Sequence, residues 1–349
     1  MKKEPTFGLY GTRKDSNSAI KDAVQAEKAG FDSYWFTDHI IDDNVYIPHS
    51  ELWTVLGAIG ALTKRIILGS GVTDPFRRNP AVTAQAVLSL HEITGGRAIL
   101  GIGAGEAMNL TPFGIRYEQP VEHLRDAITA IRLLWGSSAE RPVSFTGSVN
   151  LLRNAFLQMQ TSSTPKLFVG ALGSKTRRLA GELGDGLIPW INSPETFKNR
   201  LKDLEEGSRI AGRDLHNIEK YATIEISLSD DRENARKTVM PSAKASLICE
   251  QRTLEEFGYA TNLDKSVSIQ QGIFSSNVFS KIRQLASEVP DEYAERVCVF
   301  GNADDCISGF EKFVRAGATG FLISNSSPDY DFAIEKLEKV IMPYFRENS

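Results

Sequence analysis

Two short stretches carry residues suited to proton transfer. Asp38-His39 directly follows the apolar run "SYWFT", and Glu106 follows the glycine-rich run "GIGAG". An imidazole titrates near neutrality and is the side chain most often used as a general acid or base. A carboxylate walled in by apolar groups holds its proton more tightly and becomes a donor. His39 and Glu106 are therefore the candidate catalytic pair. Neighbours on an extended chain point to opposite sides, so one of Asp38 and His39 faces the site while the other anchors the loop. His91 and His123 fall in helical patterns and His216 in a polar connector, which makes them structural or exposed. His49 sits in a loop able to overhang the same site, and its role stays open.

Three glycine-rich segments accompany these residues. "GIGAGE" fails as a dinucleotide fingerprint, because G-x-G-x-x-G needs glycine where Glu106 stands and should follow the first strand, not the fourth. Its backbone at Gly103, Ala104 and Gly105 can still approach a ligand closely. In "GSGVTDPFRRNP", Gly71, Val72 and Thr73 end a strand, so Gly71 marks a bulge or a close ligand approach. Arg77 and Arg78 are candidates for pairing with anionic substrate groups. In "VGALGSKTRR", Gly170, Ala171, Gly173 and Ser174 lie between a strand and an amphipathic helix, whose free N–H groups can hold an anion, with Lys175 assisting.

The elements that must position these groups alternate along the chain. Strands are expected at 6–10, 33–39, 65–72, 97–103, 166–171, 186–190, 221–228 and 320–324, each with its helix. Eight β-α units with near-continuous apolar strands point to an α/β fold, a closed (β/α)8 TIM barrel. In that fold chemistry sits just past the C-terminal ends of the strands, which is where all three glycine segments and both catalytic candidates fall. Two stretches break the repeat, a hairpin insertion near 141–160 and a mostly helical insertion near 229–295. No Pro/Gly/Ser-rich linker separates them, so 1–349 reads as a single barrel domain with insertions.

Composition narrows the function classes. A net charge of −4 without a basic stripe gives no footprint for nucleic acid. No apolar run reaches the ~18 residues of a membrane span, and "MKKEPTFGLYG" lacks the apolar core of a signal peptide. Three scattered cysteines, Cys249, Cys298 and Cys306, suit a reducing cytoplasm and offer no metal-ligand spacing. The expected partner is a small-molecule substrate, and no metal is expected.

Taken together, "FTDHIIDDNVY", "GSGVTDPFRRNPAVTAQA", "EITGGRAILGIGAGEAMN" and "RLAGELGDGLI" resemble the bacterial-luciferase-like family of barrel oxidoreductases, and within it the coenzyme F420-dependent branch. "TDH…NVY", "GVTDP" and the glycine run resemble 5,10-methylenetetrahydromethanopterin reductases. Those enzymes carry a first-strand glutamate, which "FGLYGT" lacks. "GAGEAMN" resembles the F420-dependent alcohol and glucose-6-phosphate dehydrogenases, in which the residue matching His39 acts as base and that matching Glu106 as proton donor. Those enzymes carry a Trp where this chain has Asp43.

The resemblance implies hydride transfer between F420 and a carbon centre, most closely as a methylenetetrahydromethanopterin reductase-like activity. An alcohol/ketone or sugar-phosphate dehydrogenase is the alternative. An FMN-dependent monooxygenase, with FMN as the alternative cofactor, and a non-catalytic flavin- or deazaflavin-binding protein are the further readings. It further implies that Asp38 bonds the deazaflavin edge and that a non-prolyl cis bulge forms at Gly71-Val72. Thr73, Gly103, Ala104 and Asn109 would also contact the cofactor, and Gly105 with the Gly170–Ser174 loop would hold its phosphate. It implies a homodimer.

Overall fold

The computed structural model describes residues 4–11, 15–42, 48–259 and 263–347. Its strands are β1 (Thr6–Gly11), β2 (Ser33–Phe36), β3 (Ile67–Ser70), β4 (Ala98–Gly103), β5 (Val143–Thr146), β6 (Leu151–Ala155), β7 (Lys166–Gly170), β8 (Gly186–Ile188), β9 (Glu219–Leu228), β10 (Cys298–Gly301) and β11 (Gly320–Asn325). Eight of them, β1-β2-β3-β4-β7-β8-β9-β11, pair in parallel and close back onto β1. This is the (β/α)8 barrel. One parallel strand escaped the sequence reading. β10 pairs with the second half of β9, Cys298 to Gly301 beside Glu225 to Leu228, because β8 occupies only the first two residues of that edge.

The crossovers follow local chemistry. The first helix, Ser16–Lys28, starts where the Asp15 carboxylate accepts from the amides of Asn17 and Ser18, and it ends before Gly30 at φ +79°. Asn79 caps Pro80–Ile93, with proline at the position where a missing N–H costs nothing. Outward-facing strand residues such as Phe7, Leu9, Leu68 and Phe321 pack under the helices. Inside the barrel, Trp35, Ile99, Phe168, Ile188, Tyr221 and Leu322 form a separate plug. Trp35 is fully buried, and a Cβ on Gly69 would lie 2.3 Å from its ring, so that glycine makes the room the indole needs.

β5 and β6 form an antiparallel hairpin over 143–155, its turn tied by amides of Val149 and Asn150 donating to buried Asp126. None of its residues reaches the barrel mouth. The 229–295 stretch folds into helices Arg232–Cys249, Gln251–Glu256, Ser276–Glu288 and Asp291–Glu295. They share an apolar cluster (Val239, Leu247, Leu254, Phe279, Ile282) that reaches Met108, Ile191 and Phe300 of the barrel. Among the described residues no helix is long and apolar enough to cross a membrane.

Candidate active site

A cavity of about 630 Å³ opens above the aromatic plug, at the C-terminal ends of the strands. Every residue assigned to catalysis or cofactor contact from the sequence lines it: Asp38, His39, Gly71, Val72, Thr73, Gly103, Ala104, Gly105, Glu106, Asn109, Gly170, Ala171, Gly173 and Ser174. β2 stops at Phe36, so Thr37-Asp38-His39 is a loop at the mouth and not the end of the strand.

His39 is held between two carboxylates. Its Nε2 lies 3.6 Å from Glu106 Oε2 and its Nδ1 lies 3.6 Å from Asp42 Oδ2. Burial works against the charged imidazole, but Glu106 and Asp42 together outweigh it, and the pKa rises to about 9. At neutral pH this side chain is an imidazolium. Glu106 is not enclosed as the sequence reading expected. It stands at the start of the short helix Ala107–Leu110 with a quarter of its side chain exposed.

Asn109 acts as a clamp. Its Oδ1 accepts from the amides of Ile40 and Ile41 at 2.8 and 2.9 Å, and its Nδ2 donates to Glu106 Oε2 at 3.1 Å. One buried amide thus fixes the His39 loop against Glu106. Asp38 is engaged as well: Thr73 Oγ1 and Arg78 Nη1 each reach Oδ2 at 2.6 Å, and Arg77 Nη2 at 3.1 Å. Arg77 also binds Asp74, and Arg78 binds Glu51. Arg77 and Arg78, the candidates for a substrate anion, are thus both paired within the fold.

The glycines of β4 have a reason the spacing did not show. The Gly71–Val72 peptide bond is cis, and Val72 inserts its side chain between β4 and β7. A Cβ on Gly103 or on Gly170 would lie 2.9 Å from Val72 Cγ2, and one on Gly101 would lie 2.0 Å from the Ser70 carbonyl oxygen. Gly105 adopts φ +78°. Gly101 and Gly103 are thus seats for the bulge before they are room for a ligand.

The loop after β7 differs. Gly173 caps the helix Ser174–Leu183 without any side-chain hydrogen bond. Arg177 stiffens the turn by donating to the Leu172 carbonyl and pairing with Asp203. Lys175 and Arg252 border the same stretch of cavity, and a Cβ on Gly173 would meet Arg252 Nη1 at 2.9 Å. First-turn amides without side-chain caps beside two cations make a seat for a phosphate.

Several lining residues went unnoticed in the sequence. Phe7 and Leu9 face the helices, so strand alternation turns Tyr10 inward, and its phenol donates to the Gly71 carbonyl. Burial first, then Glu106 and Asp42, push its pKa far up, so it stays neutral. The same alternation brings Thr223 and Glu225 of β9 to the mouth. Ser242, Ser246 and Cys249, spaced along one face of their helix, complete the wall with Ile269 and Gln270. The buried atoms Thr37 Oγ1, Thr223 Oγ1 and Gln270 Nε2 have no hydrogen-bond partner among the described residues. His49, left open above, joins the site through Asp42 at 3.2 Å. Asp43, the position lacking Trp, lies outside the described residues.

A parallel barrel with a non-prolyl cis bulge beneath a histidine-carboxylate pair defines a class, and the comparisons agree with it. The chain belongs to the luciferase-like monooxygenase family, whose model matches residues 5–320. It is 31% identical to the 5,10-methylenetetrahydromethanopterin reductase of Archaeoglobus fulgidus over 91% of this chain and 92% of that protein. It is 32% identical to the F420-dependent glucose-6-phosphate dehydrogenase of Nakamurella multipartita over 79% and 80%. The structure of an F420-dependent secondary alcohol dehydrogenase in complex with an F420-acetone adduct matches with a TM-score of 0.84 at 28% identity, covering 97% of this chain and 98% of that one.

Proposed function

We propose that this protein is a coenzyme F420-dependent oxidoreductase that delivers hydride to a carbon of a small substrate, and that the substrate is a methylene-tetrahydropterin C1 carrier. The observation that carries the reading is His39, charged at neutral pH between Glu106 and Asp42, at a cavity that has the bulge at its base and an anion seat at one end. The residues fit the cofactor. The Val72 bulge with Thr73, Gly103 and Ala104 supports a flat ring, while Gly105, the Gly170–Ser174 loop and Arg252 suit a phosphate-bearing tail. Asp38, its carboxylate already engaged, offers its backbone edge, and Asn109 acts through the loop it clamps. Bound there, the reduced deazaflavin would supply the hydride.

The protein's own share is positioning and proton delivery. An aminal ring opens when its nitrogen is protonated, and His39 Nε2 supplies that proton. Glu106 keeps the imidazole charged until it does. A second reading, a ketone or sugar-phosphate reductase, draws on the same acid to protonate a forming alkoxide. It is favoured by β1, which turns Tyr10 to the mouth and lacks the first-strand glutamate that the pterin-reducing relatives carry. We further infer a cytoplasmic homodimer.

The test is spectroscopic, then kinetic. F420 and FMN are titrated into the purified protein, and oxidation of reduced F420 is followed with a methylene-tetrahydropterin and with a ketone panel. Turnover with the pterin supports the first reading and turnover with ketones the second. Tight FMN with NAD(P)H oxidation means a monooxygenase and overturns both, as does F420 binding without turnover.

A further inference from the structure

His39 has a second edge that proton delivery from Nε2 leaves unused. Its Nδ1 is buried, and the acceptor it faces among the described residues is Asp42 Oδ2 at 3.6 Å. The same oxygen lies 3.2 Å from Nε2 of His49, whose side chain is only 4% exposed. The two imidazole rings stand 5.8 Å apart. One carboxylate oxygen thus faces two imidazoles, that of His49 buried and that of His39 half-buried, and the sequence alone tied neither Asp42 nor His49 to catalysis.

We propose that Asp42 is a positioning residue for His39 and that His49 in turn fixes Asp42, so that His39 keeps a proton on Nδ1 and works through Nε2. The proposal rests on the reading of His39 as the acid of the site. Which ring nitrogen of a histidine is protonated follows from the hydrogen bond the other nitrogen makes, and a carboxylate behind Nδ1 selects the form with Nδ1–H. In the transfer step the Nε2–H bond breaks as the substrate atom uses its electron pair to form the new bond to hydrogen. The imidazolium becomes a neutral ring that still carries Nδ1–H. Reprotonation at Nε2 then restores it without a ring flip.

Other charged groups bear on His39. Glu106, across the cavity, favours the proton, while Arg77, from the loop after β3, opposes it. The Tyr10 phenol on β1 is neutral and His49 Nε2 lies 3.2 Å from Asp42 Oδ2, so among the described residues Asp42 and Glu106 are the carboxylates that favour the imidazole's charge. The two are separable. Glu106 acts at Nε2 and Asp42 at Nδ1, so only loss of Asp42 changes the tautomer.

The test is nitrogen NMR of histidine-labelled protein without any cofactor, which reads both the midpoint of His39 and its neutral tautomer. In the native protein the midpoint is expected near 9, with Nδ1–H above it. Asp42→Asn removes the charge yet leaves an acceptor, so the midpoint falls by about 1–2 pH units and the tautomer persists. Asp42→Leu lowers the midpoint and releases the tautomer. His49→Leu releases the tautomer, and His49→Gln, whose amide reaches the same oxygen, restores it. A midpoint unmoved by Asp42→Asn, or a native ring with its neutral proton on Nε2, overturns the proposal. So does a His49→Gln protein indistinguishable from His49→Leu. These readouts need no turnover, so failure of the F420 assays and failure of this proposal are told apart.

Discussion

Replacing Glu106 with glutamine is the sharpest perturbation of the site, because it removes one charge and little else. Glutamine keeps the length of the side chain and an oxygen to accept from Asn109. What disappears is a negative charge 3.6 Å from His39 Nε2. At an effective dielectric near 20 that pair is worth up to about 4–5 kcal/mol. Both side chains are partly open to solvent, and opposite charges at such range usually move a pKa by about 1–3 units. Taking ~2 units, the His39 midpoint falls from about 9 to about 7. At pH 8 the protonated fraction then drops from about nine-tenths to about one-tenth, a roughly ninefold loss of the acid form. At pH 6 both proteins are almost fully protonated.

The assay is kcat/KM for oxidation of reduced F420 from pH 6 to 10. We expect a native alkaline limb near 9, displaced by about two pH units in Glu106→Gln, with F420 affinity near normal. Stability should follow the same group. His39 is raised from 6.5 to about 9 in the folded state. Its contribution, of order 3 kcal/mol, is therefore full below pH 6.5 and lost as pH rises through 9. The variant should show a much flatter urea midpoint over that range. An alkaline limb that stays in place, or unchanged turnover at pH 8, would refute the reasoning.

Three further outcomes are expected. Arg252→Ala should weaken F420 binding about tenfold, with the loss shrinking as salt rises, since it removes a partly exposed cation beside the uncapped helix start; a fluorescence titration measures it. Gly103→Ala should cost about 1–3 kcal/mol in thermal denaturation and weaken cofactor binding, because its methyl collides with Val72; combining it with Val72→Ala should recover most of the loss. Arg200→Met should destabilise by about 3 kcal/mol in urea. That guanidinium is buried against Glu256, Thr253, Asn192 and the Ile191 carbonyl, joining the loop after β8 to the helix Gln251–Glu256.

The barrel was readable because most of its strands are short apolar runs with glycine or a polar group at or just past their ends. The same property placed His39, Glu106 and the Gly71-Val72 bulge at the mouth, one residue after another. What stayed hidden were relations between distant segments. Nothing near Arg77 and Arg78 in the chain announces that Asp38 and Glu51 neutralise them. Asn109 lines the cavity, and the chain gives no sign that its amide also spans to Ile40. β10 was missed because "VCVF" is short and pairs only with the far half of an unusually long β9. Arg252 and Gln270 reach the cavity from the helical stretch, whose polar surface gives no sign of which face turns inward.

The cavity has two makers. Strand ends gathered from the whole length of the chain form its base, where Val72 is threaded between Gly103 and Gly170 and neither glycine can gain a side chain unless Val72 gives way. Its outer wall, from Ser242 to Gln270, comes from one contiguous run of sequence with a small apolar core of its own. Chemistry and selectivity are therefore inherited on different terms. The base must drift in concert or not at all, whereas the wall is free to be rewritten in one piece, and a family built this way can keep one cofactor while exchanging the molecules it serves.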